Sequence, residues 1–440
     1  MSIGSSMPLR ELTGRRGMRV RGPADLNVIG THVFYRGRVL EGCISISDGV
    51  ISFVGKEPKA PRACEVLNGH GLLALPGPID VHVHLRDERL SYKEDFYTGT
   101  CSAVAGGITS VLDMPNTVPP VDSAKRLRER AEKARRDIVA NVGFYSLMPD
   151  DPSSIDELAE AGAVGIKIYL HEPKSALDVS DEAVLTKAVE LVNKAGLLVA
   201  FHAEDKRAIE EAEEKVDREM DRIERFLRVH SPEAEVEAVK RLARLLKGKK
   251  VHICHVSVPK AVRIARSAGF TVEVTPHHLF LDSTAYQRFG PLALVDPPLR
   301  EPGLATGLRE MLYKSLVDVV ASDHAPHALG EKLGQEAPPG FPGLETLLPA
   351  LLNEVVERRL ALSSLVRLIC ERPAEVFRLR GGVIEVGQPA DLVLIDLKAE
   401  VIVDPGRFRS KAKYSPFKGM WFRGAPVLTL VNGRVVFERG

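Results

Sequence analysis

Between residues 76 and 380 one pattern recurs: a short apolar run, then a charged segment with helical spacing, then another run. The runs fall at 79–85, 110–114, 139–145, 164–169, 198–202, 251–255, 271–274 and 317–322. Helix-periodic segments at 124–136, 155–161, 181–195, 206–228, 232–246, 259–268 and 304–314 lie between them. Short apolar strands separated by helices belong to parallel sheets covered by helices. Eight of them predict an α/β fold closed into a TIM-like (β/α)8 barrel, with an open doubly wound sheet as the competing arrangement. No GxGxxG follows the first run, which weakens a dinucleotide-binding version of the open sheet.

The flanks have a different texture. Alternating β-type runs with Gly turns occupy 20–75 and return at 381–440, so the two ends predict one small β-sandwich domain around a barrel at 76–380. Residues 1–19 read as a loose leader without the apolar stretch of a secretory signal. Charge excludes some partners: 60 Lys and Arg against 59 Asp and Glu leave no basic excess for nucleic acid. No apolar run approaches the roughly 20 residues that span a bilayer. Five cysteines, odd in number and without CxxC spacing, fit a reduced, cytoplasmic chain and no thiolate zinc site.

A barrel of this kind carries its chemistry at the C-terminal ends of its strands. Those ends hold His82, His84 and Arg86 on the first strand, Asn116 after the second and Lys167 on the fourth. His202 ends the fifth, His255 the sixth and Asp323 the eighth. Residues i and i+2 of a strand share a face, so His82, His84 and Arg86 point together. One histidine at a strand end is usually structural, but four histidines and an aspartate on one rim predict a metal site, with one zinc or two. Lys167 favours two. An ammonium aimed at a cation is repelled by about 4 kcal/mol per unit-charge pair at ~4 Å and an effective dielectric of ~20. A carbamate formed on its amine from CO2 would instead bridge two ions. The plain alternative is that Lys167 pairs with an acid such as Glu204. Asp323 beside a metal could take a proton from water and pass it on. His324 should face away and serve structure. Arg86, Asn116, Arg300 and His327 have the donor chemistry to hold a substrate carboxylate, and the Pro-Gly run at 337–345 could add backbone contacts.

The motifs PGPIDVHVHLRD, GGITSVLDMPNT, GIKIYL, FHAED, HICHVS, DPPLR and ASDHAPHALGEK followed by PPGFPGLET run in order from Pro76 to Thr346. Together they resemble the dihydroorotases of the amidohydrolase superfamily, zinc enzymes that reversibly close N-carbamoyl-L-aspartate to L-dihydroorotate in pyrimidine synthesis. The PPGFPGLET stretch is similar to that of the large animal multifunctional enzyme and its free-standing bacterial and archaeal relatives. The resemblance implies two Zn2+ per chain, with one on His82, His84 and Asp323 and the other on His202 and His255. Lys167, carboxylated to N6-carboxylysine by CO2 or bicarbonate, would bridge them with a hydroxide. It further implies Asp323 as the catalytic acid/base. Arg86, Asn116 and His327 would hold the substrate carboxylate, with Arg300 nearby and backbone contacts from Pro339 and Gly340. Nothing in it points to nucleic acid or membrane, and it leaves room for aspartate transcarbamoylase as a partner and for a homodimer. One departure stands out: His171-Glu172-Pro173-Lys174 replaces the Thr-Phe pair of the animal-type mobile loop. The rival expectations are another cyclic amidase, an allantoinase or hydantoinase, and a non-catalytic scaffold for a transcarbamoylase.

Overall fold

The structure is a computed structural model that describes residues 23–172, 174–217 and 219–440. The leader expected at 1–19 lies outside the described residues. Seventeen strands are described. The first five are β1 (Ala24–Tyr35), β2 (Arg38–Ser47), β3 (Val50–Gly55), β4 (Ala63–Asn68) and β5 (Leu73–Pro76). The barrel follows with β6 (Ile79–Val83), β7 (Ser110–Asp113), β8 (Asn141–Phe144), β9 (Ser146–Leu147) and β10 (Ile166–Tyr169). It continues through β11 (Val199–His202), β12 (Val251–Ile253), β13 (Thr271–Val274) and β14 (Val319–Val320). The chain ends in β15 (Leu392–Ile402), β16 (Trp421–Val431) and β17 (Arg434–Glu438).

Strands β6 to β14 pair in parallel in chain order, apart from β8 and β9. Those two are one strand interrupted at Tyr145, whose hydroxyl donates to the Val81 carbonyl across the interior (3.1 Å). Val164 N donates to Phe144 O (2.9 Å) on one side of the break, and Ser146 N to Gly165 O (3.1 Å) on the other. The last strand returns to the first through a parallel bridge between Val83 and His324, with His84 N donating to His324 O (2.8 Å). Eight parallel strands therefore close on themselves.

Strand parity decides what each residue faces. Leu198 and Ala200 belong to the interior cluster with Ile79, Val81, Leu112, Cys254, Val319 and Ala321, which Phe377 plugs. Val199 and Phe201 pack outward with Val111, Ile166, Ile168, Val272 and Val320 beneath the helices. Burying each such side chain contributes about 1.5–3 kcal/mol, so a register slip of one residue is strongly opposed. By the same parity His202 and Lys167 must face inward.

The helices follow the spacing expected for surface helices. In Ala124–Ala134, residues Ala124, Leu127, Arg130 and Ala134 form the buried stripe, and the Ser123 hydroxyl caps the first turn. One expectation changes: the segment 206–228 is two helices, Lys206–Lys215 and Arg222–Val229. The break has a local cause, because Val216 is extended and Asp221 caps a new start through Ile223 N and Glu224 N.

The remaining strands make one eight-stranded sheet in the order β17-β16-β15-β5-β1-β2-β3, with β4 paired to β1. A bulge in β1 between Val28 and Thr31 lets its first half take β4 and its second half take β5. The sheet closes over a core of Val28, Val33, Ile44, Ile46, Leu392, Leu394 and Leu430. It leads straight into the barrel, since β5 is followed at once by β6. Gly77 makes that joint, and a Cβ there would meet the Thr109 side chain at 2.2 Å.

Candidate metal centre

The C-terminal rim of the barrel opens into a cleft of about 360 Å³. His82, His84, Lys167, His202, His255 and Asp323 form its floor, and Arg86, Asn116, His327, Pro339 and Gly340 line its walls. Asp323 Oδ1 lies 3.4 Å from Nε2 of both His82 and His84. His202 Nδ1 and His255 Nε2 face each other at 3.1 Å. These are the separations of atoms that share a cation.

The far ring nitrogens of His82, His84 and His202 are held by other groups, and His255 is held through its backbone N–H. Glu273, from the middle of β13, accepts from His82 Nδ1 (2.8 Å), His252 Nε2 (3.0 Å) and His255 N (2.9 Å). Asn116 Oδ1 accepts from His84 Nδ1 (2.7 Å), and Glu204 Oε2 from His202 Nε2 (2.9 Å). Fixing one nitrogen presents the other to a metal in its unprotonated form. Burial depresses the pKa of His82, His84 and His255, so they stay neutral, as ligands must. For Glu273 burial pulls the carboxyl pKa up, but His82 and His252 outweigh it and hold it well below the usual range. Burial raises Asp323.

Lys167 is 1% exposed, and its Nζ has no hydrogen-bond partner. The pairing with Glu204 does not form, because Glu204 takes His202 and His230 (3.1 Å) instead. A buried, unpaired amine among imidazole ligands is unfavourable as it stands. The donor set around it fits a bound metal cation.

The walls are polar. The Arg86 guanidinium is buried, with Nε donating to Pro326 O (3.1 Å) and Nη2 lying 3.1 Å from His327 Nε2. His327 Nε2 also meets Pro339 O (3.1 Å). Gly340, at φ +126°, needs to be glycine because a Cβ would meet Ala325 O at 2.5 Å. Its N–H already donates to Leu294 O (2.8 Å), so the free backbone group it offers the cleft is not that N–H.

Arg300 is placed apart from the other expected substrate contacts. It lies outside the cleft, with Nε donating to Ser257 Oγ (2.8 Å), Nη1 to His230 O and Nη2 facing Glu235 (3.4 Å). Each of its three nitrogens is directed at a protein group, with Glu235 the buried carboxylate it faces, and none of them lines the cleft. His324 is buried off the cleft, where its Nδ1 accepts from Gly343 N (3.2 Å).

Residues 73–436 match the model of the Amidohydrolase family. The chain belongs to the amidohydrolase family. It is 33% identical over 432 residues to a dihydroorotase of Methanosarcina acetivorans, covering 94% of this chain and 92% of that protein. A dihydroorotase of Methanothermobacter thermautotrophicus is 36% identical over 410 residues, 90% of this chain and 91% of its own. Among solved structures, an L-hydantoinase (dihydropyrimidinase) from Arthrobacter aurescens superposes with a TM-score of 0.90 at 30% identity, covering 95% of this chain and 97% of that one. As an amidohydrolase the chain is a metal-dependent enzyme with a small-molecule substrate. No helix among the described residues is long and apolar enough to cross a membrane.

Several residues of this amidohydrolase site were not singled out from its sequence. Glu273, Tyr169, Asp296 and Lys93 all support or line the cleft. Glu273 had a legible signal, a lone acid inside the apolar strand TVEV. Lys93 had none, because it lies in a loop whose path is set by tertiary contacts.

Proposed function

We infer that this amidohydrolase is a dihydroorotase, closing N-carbamoyl-L-aspartate to L-dihydroorotate and reopening it. The observation that carries the reading is the pair formed by Arg86 Nη2 and His327 Nε2, 3.1 Å apart in the cleft wall beside the histidine floor. Two such donors suit a carboxylate, which dihydroorotate has and an unsubstituted cyclic amide lacks. The amide NH2 of Asn116, left free by the bond from His84 to its oxygen, adds a third donor.

Two Zn2+ ions would fit the donor set: His82, His84 and Asp323 would hold one, His202 and His255 the other, and Lys167, carboxylated by CO2, would supply a further ligand. When bound, the ions supply Lewis acidity and lower the pKa of a water enough to make a nucleophile at neutral pH. The protein residues do the rest. Arg86, Asn116 and His327 fix the substrate by its carboxylate, which sets the ring amide over the floor. Asp323, at the floor, accepts the proton released as the ring carbonyl is attacked and delivers it to the departing ring nitrogen. Ring closure uses the same residues in reverse, with Asp323 taking the proton from the ureido nitrogen.

The test is a ring-opening assay on L-dihydroorotate with metal counting on the same preparation. Turnover with two ions per chain is expected, and Lys167→Ala should lose metal and nearly all activity. Hydrolysis of allantoin or hydantoins with no turnover of dihydroorotate would overturn the substrate. One ion per chain, or full activity in Lys167→Ala, would overturn the bridged pair.

A further inference from the structure

His327 carries an unusual set of neighbours. Lys93 Nζ lies 3.1 Å from its Nδ1, and Pro339 O lies 3.1 Å from its Nε2. An ammonium can only donate and a carbonyl can only accept. Both neighbours therefore demand the same tautomer, with Nδ1 bare and the hydrogen on Nε2. Arg86 Nη2 then faces Nε2 at 3.1 Å with a hydrogen on each side. Those two N–H groups cannot bond to each other. The single Nε2–H, which Pro339 O accepts here, and an Arg86 Nη2–H can converge on a carboxylate oxygen that shares or replaces Pro339 O as acceptor.

We propose that Lys93 is a positioning residue that holds His327 in its Nε2–H form, so that Arg86 and His327 act as parallel donors to the substrate carboxylate. Lys93 is itself fixed by Glu331 Oε1 (3.1 Å), which Tyr92 also holds through its hydroxyl (2.8 Å). Without Lys93 only Pro339 O still favours the hydrogen on Nε2, and the opposite tautomer becomes competitive. Nδ1–H would turn to Glu331 Oε2, now 3.7 Å away, and Nε2 would accept from Arg86. One proton shift would cost the pocket two donors at once, because each would be satisfied by the other. The remaining neighbours do not reverse this choice. Lys332 is a further cation on this side, and Tyr414 exchanges hydrogen bonds only with the His327 backbone.

The inference rests on the dihydroorotase reading. The experiment compares steady-state kinetics on L-dihydroorotate for the wild-type enzyme, Lys93→Met, Lys93→Arg, His327→Asn and the Lys93→Met/His327→Asn double variant. Lys93→Met should raise KM about 10- to 100-fold, the scale of a lost charge-assisted hydrogen bond, with kcat within about threefold. Lys93→Arg, still a donor, should recover most of the loss. The double variant should bind no worse than His327→Asn alone, because Lys93 acts through that ring. An unchanged KM in Lys93→Met, a fall in kcat in place of a rise in KM, or additive losses in the double variant would overturn the proposal. Failure of the wild-type enzyme to turn over dihydroorotate would instead overturn the reading beneath it.

Discussion

At the scale of single residues, the floor of the cleft combines donor groups with backbone that side chains rarely adopt. Arg86, His255 and Asp323 all have positive φ, at +55°, +35° and +48°. None is glycine, and each such residue costs of order 1 kcal/mol. The cost falls where strands end and turn outward, which lets consecutive residues break the alternation of a strand and aim at one point. Asp323 has the most to do there. Its Oδ1 is shared between His82 and His84, so any proton it moves starts from within reach of both. Asp323→Asn keeps a ligand oxygen and the shape but cannot take a proton. Its kcat should fall by about 10²- to 10⁴-fold with KM within a few-fold and metal content retained. Steady-state kinetics with metal analysis checks this, and surviving turnover would remove Asp323 from the proton path.

At the scale of elements, the site is assembled from the inward positions at the ends of several strands, while loops decide specificity. Histidines at strand ends were legible because strand parity is fixed by covalent geometry. The surroundings of Arg300 were not legible, because its sequence neighbourhood, DPPLR, says nothing about Glu235 on a helix 65 residues earlier in the chain, which its Nη2 faces. The loop after β14 shows the same dependence on tertiary context. Lys332 is completely buried, and its Nζ donates to Leu294 O (3.0 Å) and Pro338 O (2.9 Å), pinning the segment that carries Pro339 and Gly340. Burial, helped by Arg222, lowers its pKa to about 7. Above pH 7 the folded amine is neutral while the unfolded chain still binds a proton, so Lys332 makes stability rise with pH from about 7 towards the ordinary lysine value. Below pH 7 both states are protonated and that contribution is flat. Lys332→Met should flatten the rise and, by loosening the loop, raise KM several-fold. Urea melts at pH 6.5 and 9 measure it; the same slope in the variant would place its origin elsewhere.

At the scale of the whole molecule, the barrel and the terminal sheet fold as neighbours along the chain and are tied at the barrel's other end. The eight-strand count was readable because the barrel strands are short apolar runs separated by helices. The curl of the terminal sheet was not readable, because the bulge in β1 and its exchange of partners depend on strands 35 to 45 residues away. The tie is a polar knot at the N-terminal ends of the barrel strands. Asp391 accepts from Asn141 Nδ2 (2.9 Å) on β8 and from Asn432 N (2.7 Å) in the turn between β16 and β17. Asn432 Nδ2 in turn donates to Asn141 Oδ1 (3.0 Å), and Asp391 O accepts from Gly77 N (2.8 Å) at the joint. Asp391→Ala removes the acceptor of the buried Asn141 amide and of the half-buried Asn432 N–H, which should destabilise the protein by about 1–3 kcal/mol. Burial raises the Asp391 carboxyl to about 6, opposed by the Asn432 N–H and Asn141. A raised acid weakens the folded state as pH climbs from its unfolded value through 6, so the wild-type advantage is larger at pH 5 than at pH 8. The penalty of Asp391→Ala, measured by denaturant melts at both values, should therefore shrink on going to pH 8. Because the knot is a strand length from the cleft, KM for dihydroorotate should not move. A penalty that grows with pH would mean that the carboxylate, not the acid, is the form the knot prefers.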